Sequence, residues 1–303
     1  MSPIPARQPF QISRRGFVAG IAATGVLAAC GSGDDGSSGS ESSNPDSSTP
    51  GIATGTYVIA QRFPQDVQGP GLQRLPISLA SADGRLVADG PASLNAEVRD
   101  VDGVPLGISI AAARRDMESG PYYSFRVPIE EPGVYYLVVE GGPADGAAFQ
   151  VMEPGSVVVP GPGVAMPPFD TPTFDDGRGV DPVCTRQPEP CPFHAMTLTE
   201  ALLGGKPTAY LVGTPAFCQT GTCAPALESM INVQDRFGDE FNWVHAEVYT
   251  DNTATTPTDA VDAAHLTFEP ALFVIAADGT VIERLDAVWD ESELVEVLER
   301  ASA

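Results

Sequence analysis

Cys218 and Cys223 stand in GTPAFCQTGTCAPALES with four residues between them, after an apolar run and ahead of a segment with helical periodicity. A thiolate in such a place faces the unpaired N–H groups and the positive end of the helix. That lowers its pKa and suits it to attack a disulfide. Cys218 is then the attacking thiol and Cys223 the one that resolves the mixed disulfide. On a regular helix these two positions point about 140° apart, so they cannot bond within an undistorted helix. QTGT must therefore form a loop that leaves Cys223 in or near the first helical turn, where Pro225 is tolerated. A second group is Cys184, Cys191 and His194 in DPVCTRQPEPCPFH. C-x6-C-x2-H could supply three metal ligands, but the proline-rich setting points to a structural Cys184–Cys191 disulfide closing a loop. His245, mid-strand in NWVHAEVYT, is expected to be a hydrogen-bonded core histidine. Cys218 and Cys223 with one distant imidazole could also hold Cu(I) or Zn(II), so a metal there remains an alternative.

The elements around the cysteines alternate. TAYLVGT (208–214) is a buried-type strand, ALESMINVQDRF (226–237) a helix and NWVHAEVYT (242–250) a second strand. A short helix at 258–266, strand ALFVIAA (271–277), the Asp278-Gly279 turn, strand TVIERLDA (280–287) and a helix at 291–301 complete the order βαβαββα. Asp290 is the expected N-cap of that last helix, with Glu293 three residues on. Strand, crossover helix and strand imply parallel pairing, and the closing hairpin adds an antiparallel edge.

Upstream, residues 57–152 hold seven β-rich runs, among them TYVIAQRF, LQRLPISLA, YYSFRVPI and GVYYLVVEG. Asp-Gly pairs at 83/84, 89/90, 102/103 and 145/146 separate several of them, a strong hairpin signal. An all-β, immunoglobulin-like sandwich follows, with no cysteine, histidine or obvious site, suited to a spacer or docking role. Residues 153–182 are rich in proline and glycine and read as a stiff, extended linker; residues 183–303 form the last domain.

The N-terminus reads as an address. Arg14 and Arg15 precede a thirteen-residue apolar run, 17–29, too short to span a bilayer but right for a signal peptide. SRRGF resembles the twin-arginine export signal, and LAAC resembles the lipobox of bacterial lipoproteins, which implies lipidation of Cys30. Residues 30–56, dominated by Ser, Gly and Asp, are a flexible tether. The chain of 303 residues has 16 basic and 40 acidic residues and a formal net charge of −24, and losing Arg7, Arg14 and Arg15 with the signal leaves it more acidic still. Nucleic acid is excluded as a partner by the lack of a basic face.

The domain at 183–303 resembles thioredoxin, on TAYLVGT, on the pair in TPAFCQTGTCAP, and on EPALFVIAADG, where Pro270 matches the family's cis-proline. The whole resembles envelope lipoproteins in which a β-sandwich precedes such a domain. The resemblance implies an α/β thioredoxin-like fold and places Glu269 beside the sulfurs, where a carboxylate raises a thiol pKa and relays a proton. Glu269→Gln is then expected to lower the Cys218 pKa, and Glu247 is a second candidate acid. Thioredoxin itself has two residues between its cysteines, so its potential and partners do not carry over.

Two relatives of that fold offer alternatives. Peroxiredoxins of the bacterioferritin-comigratory type share the four-residue gap, but Thr214-Pro215 lies one residue too far from Cys218. Their peroxide-stabilising arginine is also missing, since Arg284 lies beyond the turn. Copper-delivery chaperones of cytochrome oxidase assembly add a distant histidine, for which His265 is poorly spaced. The expected function is thiol-disulfide exchange on envelope proteins carrying thiols or disulfides, by a protein lipid-anchored at the extracytoplasmic face of the cell membrane, without metal or organic cofactor. The competing class is a non-catalytic lipoprotein with two structural disulfides.

Overall fold

The computed structural model describes residues 55–302. The expected signal segment, Arg14-Arg15, Cys30 and all but the end of the tether lie outside the described residues. Among the described residues no helix is long and apolar enough to cross a membrane.

Seven strands form the first half: β1 (Val58–Gln61), β2 (Gly71–Ala80), β3 (Ser93–Arg99), β4 (Pro105–Arg115), β5 (Tyr122–Ile129), β6 (Gly133–Val139) and β7 (Ala147–Val151). Each coincides with one β-rich run. Asp102-Gly103 turns β3 into β4, and Asp145-Gly146 turns β6 into β7. Gly146 has φ +68°, and a Cβ there would lie 2.7 Å from the Leu137 carbonyl oxygen, so only glycine fits. The strand order is β1-β2-β5-β4-β3-β6-β7, antiparallel throughout. The expected immunoglobulin-like sandwich would have two separate sheets, and here all seven strands join in one. β4 pairs with β3 along most of its length, then its last residues, Arg114 and Arg115, pair with Tyr123 and Tyr122 of β5. The result is one continuous, barrel-like sheet around a core of Leu75, Ile77, Phe125 and Val127 against Val98, Leu137, Val139 and Phe149.

The second half contains α1 (Leu198–Leu203), β8 (Thr208–Val212), α2 (Cys223–Phe237), β9 (Asn242–Ala246), α3 (Asp259–Ala263), β10 (Ala271–Ile275), β11 (Val281–Asp286) and α4 (Glu291–Ser302). Its sheet runs β11-β10-β8-β9, with β8 and β9 parallel and the others antiparallel. This is an α/β arrangement with the element order expected for residues 208–302. Both faces are covered, so the strands are apolar without interruption and sort their side chains by alternation. Ala209, Leu211, Leu272 and Val274 meet α2 and α4 around Trp289. Tyr210, Val212, Phe273 and Ile275 meet α1 and α3 on the other side. α1 was not expected from the sequence, although its capping box, Thr197 with Glu200, is present in TLTE.

Residues 153–182 differ from the expected spacer. Val159 and Met166 enter the core shared with α1 and α3. Gly163 donates to the Val281 carbonyl, Val281 to that of Val164, and Met166 to that of Gly279, each at 2.9 Å, so this stretch lies along the edge strand β11. Proline keeps the chain extended, as the composition suggested, but the extended chain is packed down.

The β-rich half and the α/β half belong to one compact unit. Arg74 of β2, 5% exposed, grips Glu293 of α4, 1% exposed, through Nε at 2.9 Å and Nη2 at 2.7 Å. Arg74 also donates to the carbonyls of Asp286 and Val288. Tyr122 and Ser124 donate to the same carboxylate at 2.8 and 2.7 Å. Burial pushes Glu293 up, but Arg74 outweighs it and holds the carboxyl down at about 2. Such a pair persists in the interior because every lone pair is answered.

Candidate functional site: two cysteine clusters flanking β8

β8 ends at Val212, and the chain then runs through Gly213 and Thr214 into a turn that carries Cys218. Gly221, at φ +67°, donates to the Cys218 carbonyl and closes the loop made by QTGT. Cys223 is the first residue of α2, with Thr222 as N-cap and Pro225 in the first turn. The backbone N–H of Cys223 points at Cys218 Sγ, 3.3 Å away, and the Thr220 hydroxyl lies 3.2 Å from the same sulfur. Cys218 is half-buried, whereas Cys223 is 1% exposed.

This asymmetry splits the two thiols chemically. The Cys223 thiol beside it, the Thr220 hydroxyl and the N–H groups of Cys223 and Thr222 bring the Cys218 pKa down to about 5 against the cost of burial. Burial pushes Cys223 up, and the neighbouring Cys218 and Glu269 charges push the same way. Glu269 and Pro270 are joined by a cis peptide, and Glu269 Oε2 lies 3.8 Å from Cys223 Sγ. Burial first, and the Cys218 charge second, raise the Glu269 carboxyl to about 8. The carboxyl is therefore placed to take the proton of Cys223 and is neutral in the range where Cys218 ionises. Phe217 and Phe268, next in sequence to Cys218 and Glu269, are partly exposed, and the buried Tyr249 backs Phe217 in edge contact.

Cys184 and Cys191 are not bridged; all four cysteines among the described residues are thiols. The pair does not stand alone. Cys184, Cys191, His194 and His245 are all buried, and their ligand atoms lie within 4.8 Å of one another. His245 Nδ1 is 3.0 Å from His194 Nε2, 3.3 Å from Cys191 Sγ and 3.9 Å from Cys184 Sγ. His245, expected to be an ordinary core histidine, is thus the centre of a second cluster. The neighbouring Cys191 thiol, joined by both imidazoles, lowers Cys184 against burial, while burial and the Cys184 charge raise Cys191.

Glu247 and Gly213 connect the clusters. Glu247 Oε1 accepts from the Thr185 N–H at 2.6 Å and the Thr185 hydroxyl at 2.9 Å, and that hydroxyl accepts from the Ala216 N–H. Gly213 accepts from His245 Nε2 at 3.0 Å, and a Cβ on Gly213 would sit 3.4 Å from Pro270 and 3.7 Å from Cys223 Sγ. The other residues singled out from the sequence fall elsewhere. Arg284 is buried against Asp286 and the carbonyls of Val67 and Pro160, so its donors are committed away from the cysteines. His265 belongs to neither cluster.

No protein-family model matches the chain, and no curated protein does. Among solved structures, one similar chain is a thiol:disulfide interchange protein of the thioredoxin family from Chlorobium tepidum TLS, at 16% identity over 47% of this chain and 97% of that one, with a TM-score of 0.33.

Proposed function

We propose that this protein performs thiol-disulfide exchange through Cys218 and Cys223, acting on exported proteins from a lipid anchor at Cys30. One observation carries the redox reading: a half-buried sulfur stabilised as thiolate stands beside a buried, protonated thiol that faces a carboxyl group. Two structural staples would need no such division of labour.

The Cys218 thiolate attacks a substrate disulfide, forming a mixed disulfide and expelling one substrate thiolate. Cys218 then carries no charge, which removes one of the three causes that raise Glu269, burial and the Glu247 charge being the others. The carboxyl becomes more acidic at this stage, ionises, and accepts the proton from Cys223. The Cys223 thiolate attacks Cys218 Sγ, the second substrate sulfur leaves, and a Cys218–Cys223 disulfide remains. Two electrons have passed to the substrate; run backwards, the same steps oxidise a dithiol. Phe217 and Phe268, both partly exposed, offer an apolar footing for an unfolded or extended substrate segment.

The test is the reduction potential of the pair together with reduction of a disulfide substrate such as insulin. A potential above about −300 mV, with turnover that requires Cys218, is expected. A lower potential with no turnover would mark the pair as a staple and sink the proposal. For the anchor, Cys30→Ser should release the protein from membranes; retention of the variant there would remove Cys30 from the account.

A further inference from the structure

Cys184, Cys191, His194 and His245 converge from two separate segments, the strap 184–194 and the middle of β9, into a fully buried group. With Zn–S near 2.3 Å and Zn–N near 2.0 Å, a tetrahedral site has edges of about 3.3 Å between nitrogens, about 3.6 Å between nitrogen and sulfur, and about 3.8 Å between sulfurs. The nitrogen edge here is 3.0 Å, and the nitrogen–sulfur edges at His245 are 3.3 and 3.9 Å. The three edges at His245 match such a figure to within about 0.3 Å, and all four ligand atoms lie within 4.8 Å of one another.

Hydrogen-bond accounting favours the same conclusion. His245 Nε2 donates to the Gly213 carbonyl, which fixes the tautomer and leaves the Nδ1 lone pair facing His194 and both sulfurs. Without an ion, His194 Nε2 must hold a proton to meet that lone pair. Its Nδ1 is then an acceptor, buried and without a hydrogen-bond partner among the described residues. With an ion, both lone pairs facing the cluster are used, and His194 Nδ1 carries the proton instead, in a hydrogen bond that the neighbouring Pro172 carbonyl is able to accept. A Cys184–Cys191 disulfide leaves the imidazole mismatch in place. Two thiolates and two neutral imidazoles around a divalent cation also make a neutral centre, the form that tolerates full burial. Glu247, through the Thr185 N–H and hydroxyl, braces the residue after Cys184.

We propose that Cys184, Cys191, His194 and His245 bind one Zn²⁺ in a closed, tetrahedral, structural site that pins the strap 184–194 to β9 behind the redox pair. The ligand set is S₂N₂, which suits zinc, and no fifth side is open for a substrate. The site is independent of the exchange chemistry proposed for Cys218 and Cys223.

The test uses the full chain, purified reduced and without chelator. Elemental analysis should give one zinc per chain, and exchange with Co²⁺ should give the intense visible bands of a tetrahedral dithiolate site. The double variant Cys218→Ser/Cys223→Ser should keep both signals, whereas Cys191→Ser and His245→Ala should lose them. The wild-type measurements decide the matter even if those single variants fail to fold. Stoichiometric copper in place of zinc, a Cys184–Cys191 disulfide in metal-free protein, or a cobalt spectrum lost with Cys218 and Cys223 would each overturn the assignment.

Discussion

The two cysteine clusters lie on either side of Gly213, yet they are built on opposite principles. At Cys218 and Cys223 the two sulfurs are made unequal: one reaches solvent and is charged, the other is sealed and neutral. At Cys184 and Cys191 both sulfurs are sealed, and two imidazoles are turned toward them. Unequal thiols favour turnover, because attack and resolution need different protonation states. Thiols enclosed together, with imidazoles turned toward both, favour holding something still. Burial alone does not separate a reactive cysteine from an inert one; what the neighbours donate does.

The sharpest way to break the comparison is Cys218→Ser, which should bring insulin reduction to the uncatalysed level while zinc content is unchanged. Activity that survives would move the chemistry to another sulfur. Cys191→Ser should do the reverse, removing the metal and lowering unfolding stability by several kcal/mol, as expected when a structural ion is lost; denaturant titration with and without chelator measures it. Glu269→Gln should slow the resolving step about a hundredfold, the lower part of the range for a positioned base, so that the mixed disulfide accumulates in rapid-quench experiments. Its wild-type counterpart should speed up with rising pH and level off below about pH 8, since Glu269 loses the repulsion of Cys218 once that sulfur is capped.

Smaller still is the effect on the attacking thiol. Alkylation of reduced protein should be half-maximal near pH 5, rising with pH as the thiolate forms, in wild type and in Glu269→Gln alike. This replaces the expectation drawn from the sequence that the glutamine would lower the Cys218 pKa: a carboxyl titrating near 8 is already neutral where Cys218 ionises. Thr220→Ala should raise that midpoint by less than about one unit, the loss of a single weak donor.

What could be read in the sequence was local. Seven strands, their Asp-Gly turns and the cysteine pair at a strand-to-helix junction depend on neighbours within a few residues, and periodicity reports those. The capping box of α1 was equally local and went unused, because its helix is a single short turn and a half hidden behind a proline-rich stretch. Three members of the second cluster were visible as C-x6-C-x2-H, but the fourth was out of reach: His245 is 61 residues from Cys184, and nothing in NWVHAEVYT distinguishes a ligand from a core histidine. Val159 and Met166 similarly look like stray apolar residues among prolines until the fold supplies the surface they cover.

The Arg74–Glu293 pair spans 219 residues and belongs to neither cluster, but it governs how the protein comes apart. Glu293 ionises near 2 in the folded chain and near 4.5 when unfolded. A carboxyl depressed in this way contributes stability that is complete above the unfolded value and fades as acid carries the pH from about 4.5 toward 2, roughly 3 kcal/mol in all. The pair also makes separate melting costly, since unfolding either half forfeits the hydrogen bonds of Arg74, Tyr122 and Ser124 to the other. Heating should therefore give one cooperative transition for both halves, and acid should bring that transition down before it touches either core.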